Sequence, residues 1–206
     1  MKKVILSAAL LTLGLVASAQ KGSILVAGNV GYSSDKVDSD FDSKKNTFFI
    51  EPKIGYQFSD NMTVGVEGGY TNTKGENDVT YSGKVYTDEL KSNEYKIGGF
   101  LRYAVPFSQT FAAYADLGAG YKSIDTEKTI ANVTSDDKSN SGNGFYVGLK
   151  PALFINFKNS FGLNFGIGGI EYSNMDYDND SSKSDFEFSF GKQVSVGISK
   201  NFGGAK

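Results

Sequence analysis

The sequence predicts an all-β fold, an eight-stranded antiparallel up-and-down transmembrane β-barrel, and three observations support the prediction. Eight segments alternate apolar residues with polar or small ones, which is the two-residue period of a strand with different surroundings on its two faces. The connections between these segments are alternately short and long. The 206 residues include 25 Gly, 14% aromatic residues and only 3 Pro, a composition that favours strands over helices.

The N-terminal residues have the features of a secretory signal peptide. Lys2 and Lys3 precede an apolar run over residues 4–16, and small residues at 17–19 form a cleavage site. The run is too short to cross a bilayer as a helix, and an uncleaved anchor is the alternative interpretation. We therefore expect residues 1–19 to be cleaved and residues 20–206 to form a single outer-membrane barrel domain.

Several kinds of site are excluded by residue types that the chain lacks. It has no Cys, no His and no Trp, so disulfides, thiolate metal sites and lipid-modified cysteines cannot form. The formal net charge is −2, and no basic patch indicates a nucleic-acid partner. After the N-terminal run, no segment approaches the length of apolar residues that a membrane-spanning helix needs.

The eight alternating segments form an ordered series along the chain. They cover residues 23–33, 47–58, 62–73, 93–107, 111–121, 144–157, 161–172 and 185–202. The connections 59–61, 108–110 and 158–160 are short, whereas 34–46, 74–92, 122–143 and 173–184 are long and polar. Short turns at one end and long loops at the other are typical of barrels with periplasmic turns and extracellular loops. In the last segment, residues 186–190 are expected to project above the membrane.

The short turns predict a strand register. Phe58 and Met62 flank the first turn, Phe107 and Phe111 the second, and residues 157 and 161 the third, so each pair is expected to lie directly opposite. This register also places Lys53 opposite Glu67 and Arg102 opposite Asp116, as cross-strand pairing of opposite charges favours. Pro52 and Pro151 predict a bulge or bend, and the glycines at 168–169 predict a bulge in the seventh strand.

The two faces of the strands indicate which side meets lipid. One face is apolar, and the other carries charged residues among many Gly and Ala. A lipocalin-like soluble barrel would point the apolar face inward, whereas a membrane barrel points it outward. The small residues favour the membrane barrel, because the lumen of eight strands is only just wide enough for side chains.

Five charged residues lie five to seven positions from the short turns, near the middle of the predicted membrane. Facing lipid there, a Lys or Arg would cost about 2–4 kcal/mol, so these residues are expected to face inward as a charge network. A structural plug is the favoured interpretation, and a gate or charge-selective conduit is the alternative. The residues are Lys53, Glu67, Arg102, Asp116 and Lys150.

Three segments resemble the bacterial outer-membrane β-barrel domain family, whose members include small eight-stranded barrels of the OmpA and OmpX kind. They are EPKIGYQFSDNMTVGVEGGY (51–70), GGFLRYAVPFSQTFAAYADLGAGY (98–121) and GLKPALFINFKNSFGLNFGIGG (148–169). The resemblance covers nearly the whole mature chain and implies the architecture rather than an activity. It also implies contact with outer-membrane lipid and lipopolysaccharide. Phe202, near the C-terminus, resembles the aromatic assembly signal that the barrel-assembly machinery reads.

The sequence gives little support for a catalytic site or a metal site. Enzymatic outer-membrane barrels resemble one another in depending on a catalytic His, which this chain lacks, so we expect no enzyme, no catalytic residue and no cofactor. One acidic segment partly matches a calcium loop, but Ser181 replaces its turn-forming Gly and no helices flank it, so an ordinary solvated loop is favoured. Its carboxylates are Asp176, Asp178, Asp180 and Glu187.

The sequence therefore predicts an integral protein of the cell outer membrane, exported through a signal peptide and present as a monomer. Its expected role is structural, in envelope integrity, or interactive, through the long loops. The alternatives are a minor porin-like channel for small solutes and a soluble lipocalin-like binding barrel.

Overall fold

The computed structural model describes residues 21–37, 43–81, 84–130, 133–158, 161–191 and 194–203; the expected signal peptide lies outside them. None of these ranges contains a helix that could span a bilayer. Their strands are β1 (Ser23–Val37), β2 (Ser43–Gln57), β3 (Met62–Tyr81), β4 (Lys84–Pro106), β5 (Phe111–Ile130), β6 (Val133–Asp136), β7 (Gly142–Lys158), β8 (Phe161–Gly166), β9 (Ile170–Tyr177), β10 (Ser182–Phe188) and β11 (Ser195–Gly203).

Eight of these strands close a hydrogen-bonded antiparallel ring. It runs through β1, β2, β3, β4, β5, β7, β8 and β11, and β11 then pairs with β1. The closing ladder extends from Ser23 opposite Gly203 to Val30 opposite Val196. β9 and β10 continue the seventh and eighth strands beyond local breaks, and β6 folds back on β5. The predicted all-β barrel is confirmed.

The predicted register is confirmed in the first two hairpins. Lys53 lies opposite Glu67, and Arg102 lies opposite Asp116. In the third hairpin the ladder from Ala152 opposite Gly166 to Asn156 opposite Gly162 keeps the predicted register. Only the pair beside the turn differs from the prediction, because a register shift places Lys158 rather than Phe157 opposite Phe161.

The four long connections are mostly not loops. β3 and β4 remain paired from Met62 opposite Tyr103 to Tyr81 opposite Lys84, which leaves only residues 82–83 between them. β1 and β2 likewise remain paired as far as Val37 opposite Ser43. Polar residues hydrogen-bond through their backbones as readily as apolar ones, so these segments continue the sheet as ribbons. We call this end of the barrel the hairpin end and the opposite end the short-turn end.

The expected bulge in the seventh strand is present between β8 and β9. Leu149 of β7 lies opposite Ile170, whereas Ala152 lies opposite Gly166, so one extra residue is inserted across this break. Gly168 has a φ of 90°, a conformation that other residues rarely adopt. Pro151, which has no N–H to donate, lies beside the break. The bulge expected at Pro52 is absent: the register is constant there, although residues 51–52 have no ladder partner in β3.

The apolar faces of the strands point away from the lumen. Ile97 on the outer face is 68% exposed, whereas Lys53 on the inner face is 5% exposed. Four directly opposed aromatic pairs encircle the barrel towards the hairpin end and form what we call the upper girdle. They are Tyr32 with Phe48, Tyr70 with Tyr95, Tyr121 with Phe145, and Tyr172 with Phe186.

A second set of exposed aromatic residues lies at the short-turn end and includes Tyr103, Phe107, Phe111 and Phe202. On β5, ten residues separate Tyr121 from Phe111, which is about the number that crosses a bilayer in a tilted strand. Phe186 belongs to the upper girdle rather than projecting above it, which corrects the sequence-based expectation. The reason is that the register between β9 and β10 differs from that between β8 and β11, so the eighth strand is shifted relative to the seventh.

Candidate functional site

The middle of the lumen is filled by four paired charges, which we call the mid-lumen network. Lys53 Nζ lies 2.7 Å from Glu67 Oε2 and 2.8 Å from Asp116 Oδ2. Arg102 donates two hydrogen bonds to the Asp116 carboxylate, from Nε at 2.7 Å and from Nη2 at 2.9 Å. Hairpin register brings Lys53 to Glu67 and Arg102 to Asp116, whereas the bond from Lys53 to Asp116 crosses the lumen. These side chains are buried or nearly so.

Aromatic residues and glycines on the inner face shape the space around the mid-lumen network. The Arg102 guanidinium lies 3.7 Å from the centre of the Tyr114 ring, and Lys53 lies 5.1 Å from that of Phe100. Tyr146 donates a 2.8 Å hydrogen bond to Glu67. A side chain at Gly118 would collide with the Glu67 carboxylate, so this glycine provides the room that the network needs.

A second cluster, the upper network, lies nearer the hairpin end and was not identified from the sequence. Lys96 contacts Glu171 at 2.9 Å and Glu94 at 3.2 Å, and Lys122 contacts Glu171 at 3.1 Å and Glu94 at 3.6 Å. Lys96 and Lys122 lie directly opposite each other in the β4–β5 ladder. Two like charges directly opposite each other repel unless carboxylates neutralise them. Glu171, which does so, lies 75 positions from Lys96 and 49 positions from Lys122 in the sequence.

Lys150 is not part of the mid-lumen network, which corrects the prediction that all five charged residues form one network. It lies opposite Asp116 in the β5–β7 ladder, yet its ammonium group pairs with Glu51 across the lumen. Asp116 already accepts bonds from Lys53 and Arg102, so Lys150 bonds to a different carboxylate. Its side chain is 38% exposed, more than any other lysine paired within the described part of the lumen.

A cavity of about 230 Å³ lies between and beside the two networks. Its lining includes Lys53 and Asp116 from the middle of the barrel and Lys96 and Glu171 from the upper network. The break in the seventh strand and the adjoining part of the eighth also line it, through Gly168, Gly169, Ser189 and Ser195. The lumen therefore holds space beside the paired charges, with one wall built from interrupted strands.

The four acidic residues of the calcium-like segment are separated by strand pairing. Asp176 accepts a hydrogen bond from Ser182, Asp178 and Asp180 lie in the turn between β9 and β10, and Glu187 lies opposite Glu171 further along the ladder. Across the described ranges, no group of three or more potential metal ligands is found. Phe202 is exposed at the short-turn end and lies opposite Ile24, with Lys200 Nζ 5.0 Å from its ring centre.

The sequence matches the model of the outer membrane protein beta-barrel domain over residues 5–191. This chain belongs to that family. Membership of this outer-membrane β-barrel family agrees with the closed ring and points to the bacterial outer membrane. No curated protein matches the sequence.

Solved structures similar to this outer-membrane barrel share little sequence with it. Neisserial surface protein A is 14% identical with a TM-score of 0.45, over 88% of this chain and 98% of that one. Ail, the attachment invasion locus protein of Yersinia pestis, is 16% identical with a TM-score of 0.39, over 87% and 99%. OprG from Pseudomonas aeruginosa is 15% identical with a TM-score of 0.38, over 91% and 99%.

Proposed function

We propose that the protein is a closed outer-membrane barrel with a structural role in the envelope or a role in surface interaction. The mid-lumen network is the observation that supports this proposal. Lys53, Arg102 and Asp116 are joined by direct hydrogen bonds across the narrow lumen at mid-membrane. Eight strands leave an interior that side chains can fill, and here charged side chains fill it.

In this proposal, the hairpin end is the surface through which the protein contacts other molecules. The ribbon of β3 and β4 extends eleven rungs beyond Tyr70 opposite Tyr95, and its upper part is rich in polar residues. In this proposal the chain is a non-enzymatic monomer in contact with outer-membrane lipid and lipopolysaccharide. It is exported through the signal peptide and inserted by the barrel-assembly machinery through the signal at Phe202.

The alternative function is a minor channel for small solutes, and the lumenal cavity is the observation that favours it. The cavity borders the mid-lumen network, so a path would open only if these ion pairs separated. The soluble lipocalin-like alternative needs apolar residues around an internal pocket, whereas here the cavity is lined largely by charged and polar side chains.

Conductance in planar bilayers distinguishes the closed barrel from the channel. We expect the wild-type protein to show no sustained openings, because the mid-lumen ion pairs close the path. A variant with Lys53, Glu67, Arg102 and Asp116 all replaced by Ala removes the four side chains of the mid-lumen network together, so none of them is left without its ionic partner, and we expect it to conduct. A steady conductance of the wild-type protein, unchanged in this quadruple variant, would contradict the proposed plug.

A further inference from the structure

Towards the hairpin end, the described residues leave a gap in the strand pairing of the barrel wall. The β1–β11 ladder stops at Val30 opposite Val196, and beyond it residues 31–35 of β1 pair with β2 and with no other described strand. β10 pairs with β9, and no described strand pairs with its other edge. We call the gap between residues 31–35 and β10 the seam.

The seam opens near the membrane interface. Val30 lies two residues below Tyr32, which belongs to the upper girdle, and on the other side of the gap Phe186 of β10 belongs to it too. Open strand edges exposed to lipid are not tolerated within the hydrocarbon region, because their backbone groups would lack hydrogen-bond partners. At the interface, polar groups of lipid and water can supply those partners.

The cavity extends to the seam from inside. Its lining includes Asn29, one residue before the β1–β11 ladder ends, and Glu187, Ser189 and Ser195 from the eighth strand and its break. Gly191, within the break, has a φ of 73°, and Val194 is exposed. The described residues on the two sides of this break therefore border the cavity, the seam and the surrounding bilayer.

Two charges in the cavity lining have unused binding capacity. Lys150 is partly exposed, and among the described residues its one ion-pair partner is Glu51. Within the same ranges no ion pair joins Glu187. The cavity lining holds five carboxylates and four lysines, so Glu187 is the excess negative charge. A head group that carries both a phosphate and an ammonium group matches this pair, with the phosphate at Lys150 and the ammonium at Glu187.

We propose that the cavity and the seam together bind a zwitterionic, phosphate-bearing membrane amphiphile. Its head group lies in the cavity, and its acyl chains pass through the seam to the bilayer. An amphiphile suits the site because the cavity is charged, the surroundings of the barrel are apolar, and the seam joins the two. The inference rests on the outer-membrane placement proposed above.

Photocrosslinking in lipid nanodiscs tests this site. The probe is phosphatidylethanolamine with a diazirine on an acyl chain near the head group, compared with phosphatidylglycerol carrying the same group. We expect labelling by the phosphatidylethanolamine probe to concentrate at Tyr32, Phe188 and Val194, and to be about tenfold weaker at Tyr95 and Tyr121, which lie in the upper girdle away from the seam. The phosphatidylglycerol probe, which lacks the ammonium group, is expected to label the seam weakly.

Two substitutions in the site and one control outside it separate specific binding from passive lipid contact. Glu187→Gln removes one charge-assisted contact and is expected to reduce seam labelling about tenfold. Glu127→Gln, which changes an exposed carboxylate outside the cavity, is expected to leave it unchanged. Lys150→Gln removes the charge that is proposed to bind the phosphate, and it is likewise expected to reduce seam labelling. Even labelling around the girdle, or labelling unaffected by Glu187→Gln, would overturn the site while leaving the membrane placement intact; failure of the wild-type barrel to insert would overturn both.

Discussion

Asp116→Asn is expected to destabilise the barrel by about 3–5 kcal/mol, because breaking a buried ion pair leaves an uncompensated charge. Asp116 accepts hydrogen bonds from both Lys53 and Arg102, and all three side chains are almost fully buried. The amide is nearly the same size as the carboxylate, so the loss arises from charge rather than from a cavity. Glu67 still balances Lys53, but Arg102 has no other ion-pair partner within the described ranges.

Urea unfolding of the barrel refolded into lipid bilayers measures this loss. Asp125→Asn is the matched control, because it makes the same chemical change on the same strand at an exposed position. We expect the free energy of unfolding of the control to stay within about 0.5 kcal/mol of wild type. An equal effect of the two substitutions would show that the mid-lumen network does not hold the barrel together.

Leu117→Arg is expected to destabilise the membrane-inserted barrel by about 2–4 kcal/mol, the cost of an arginine facing lipid at the bilayer midplane. Leu117 follows Asp116 and therefore points to the opposite face, where it is 50% exposed. It lies midway along β5 between the aromatic residues Phe111 and Tyr121. One residue along the strand thus separates a position where charge is paired in the lumen from one where it would meet hydrocarbon.

The matched control for this substitution is Leu90→Arg in the long β3–β4 ribbon. Leu90 is 36% exposed and lies beyond the upper girdle, where an arginine is solvated by water. We expect this variant to retain wild-type stability in the same unfolding assay. Similar losses at the two positions would indicate that Leu117 is not in lipid, and no loss at either would contradict a lipid-facing outer surface.

The fold was largely predictable because alternation and short turns are local properties of the chain. The residues that flank the short turns predict the register of two hairpins, and the charge pairs Lys53 with Glu67 and Arg102 with Asp116 agree with it. In the third hairpin only the pair beside the turn departs from the predicted register, because the shift there has no distinct signal in the residues around Phe157. The sequence predicts loops at the four long connections, where the structure has mostly paired ribbons, because polar composition does not distinguish a solvated ribbon from an irregular segment.

The candidate site was only partly predictable, because most of its contacts cross the lumen. Hairpin register identifies neighbours on adjacent strands, whereas Lys150 meets Glu51 from 99 positions away and Lys96 meets Glu171 from 75. Such contacts depend on how the closed ring is staggered, which alternation alone does not specify. The break in the eighth strand moved Phe186 to the upper girdle and produced the seam, and no residue pattern indicated the size of that shift.

Fluorescence quenching by brominated lipid tests most directly whether the apolar face of the barrel lies in the bilayer. The chain has no Trp, so a single introduced Trp reports on one site only. Leu101→Trp places the probe on the outer face, and Phe100→Trp places it one residue away on the buried inner face. We expect strong quenching at position 101 and weak quenching at position 100. Equal quenching at both positions, or stronger quenching at position 100, would contradict the proposed membrane barrel.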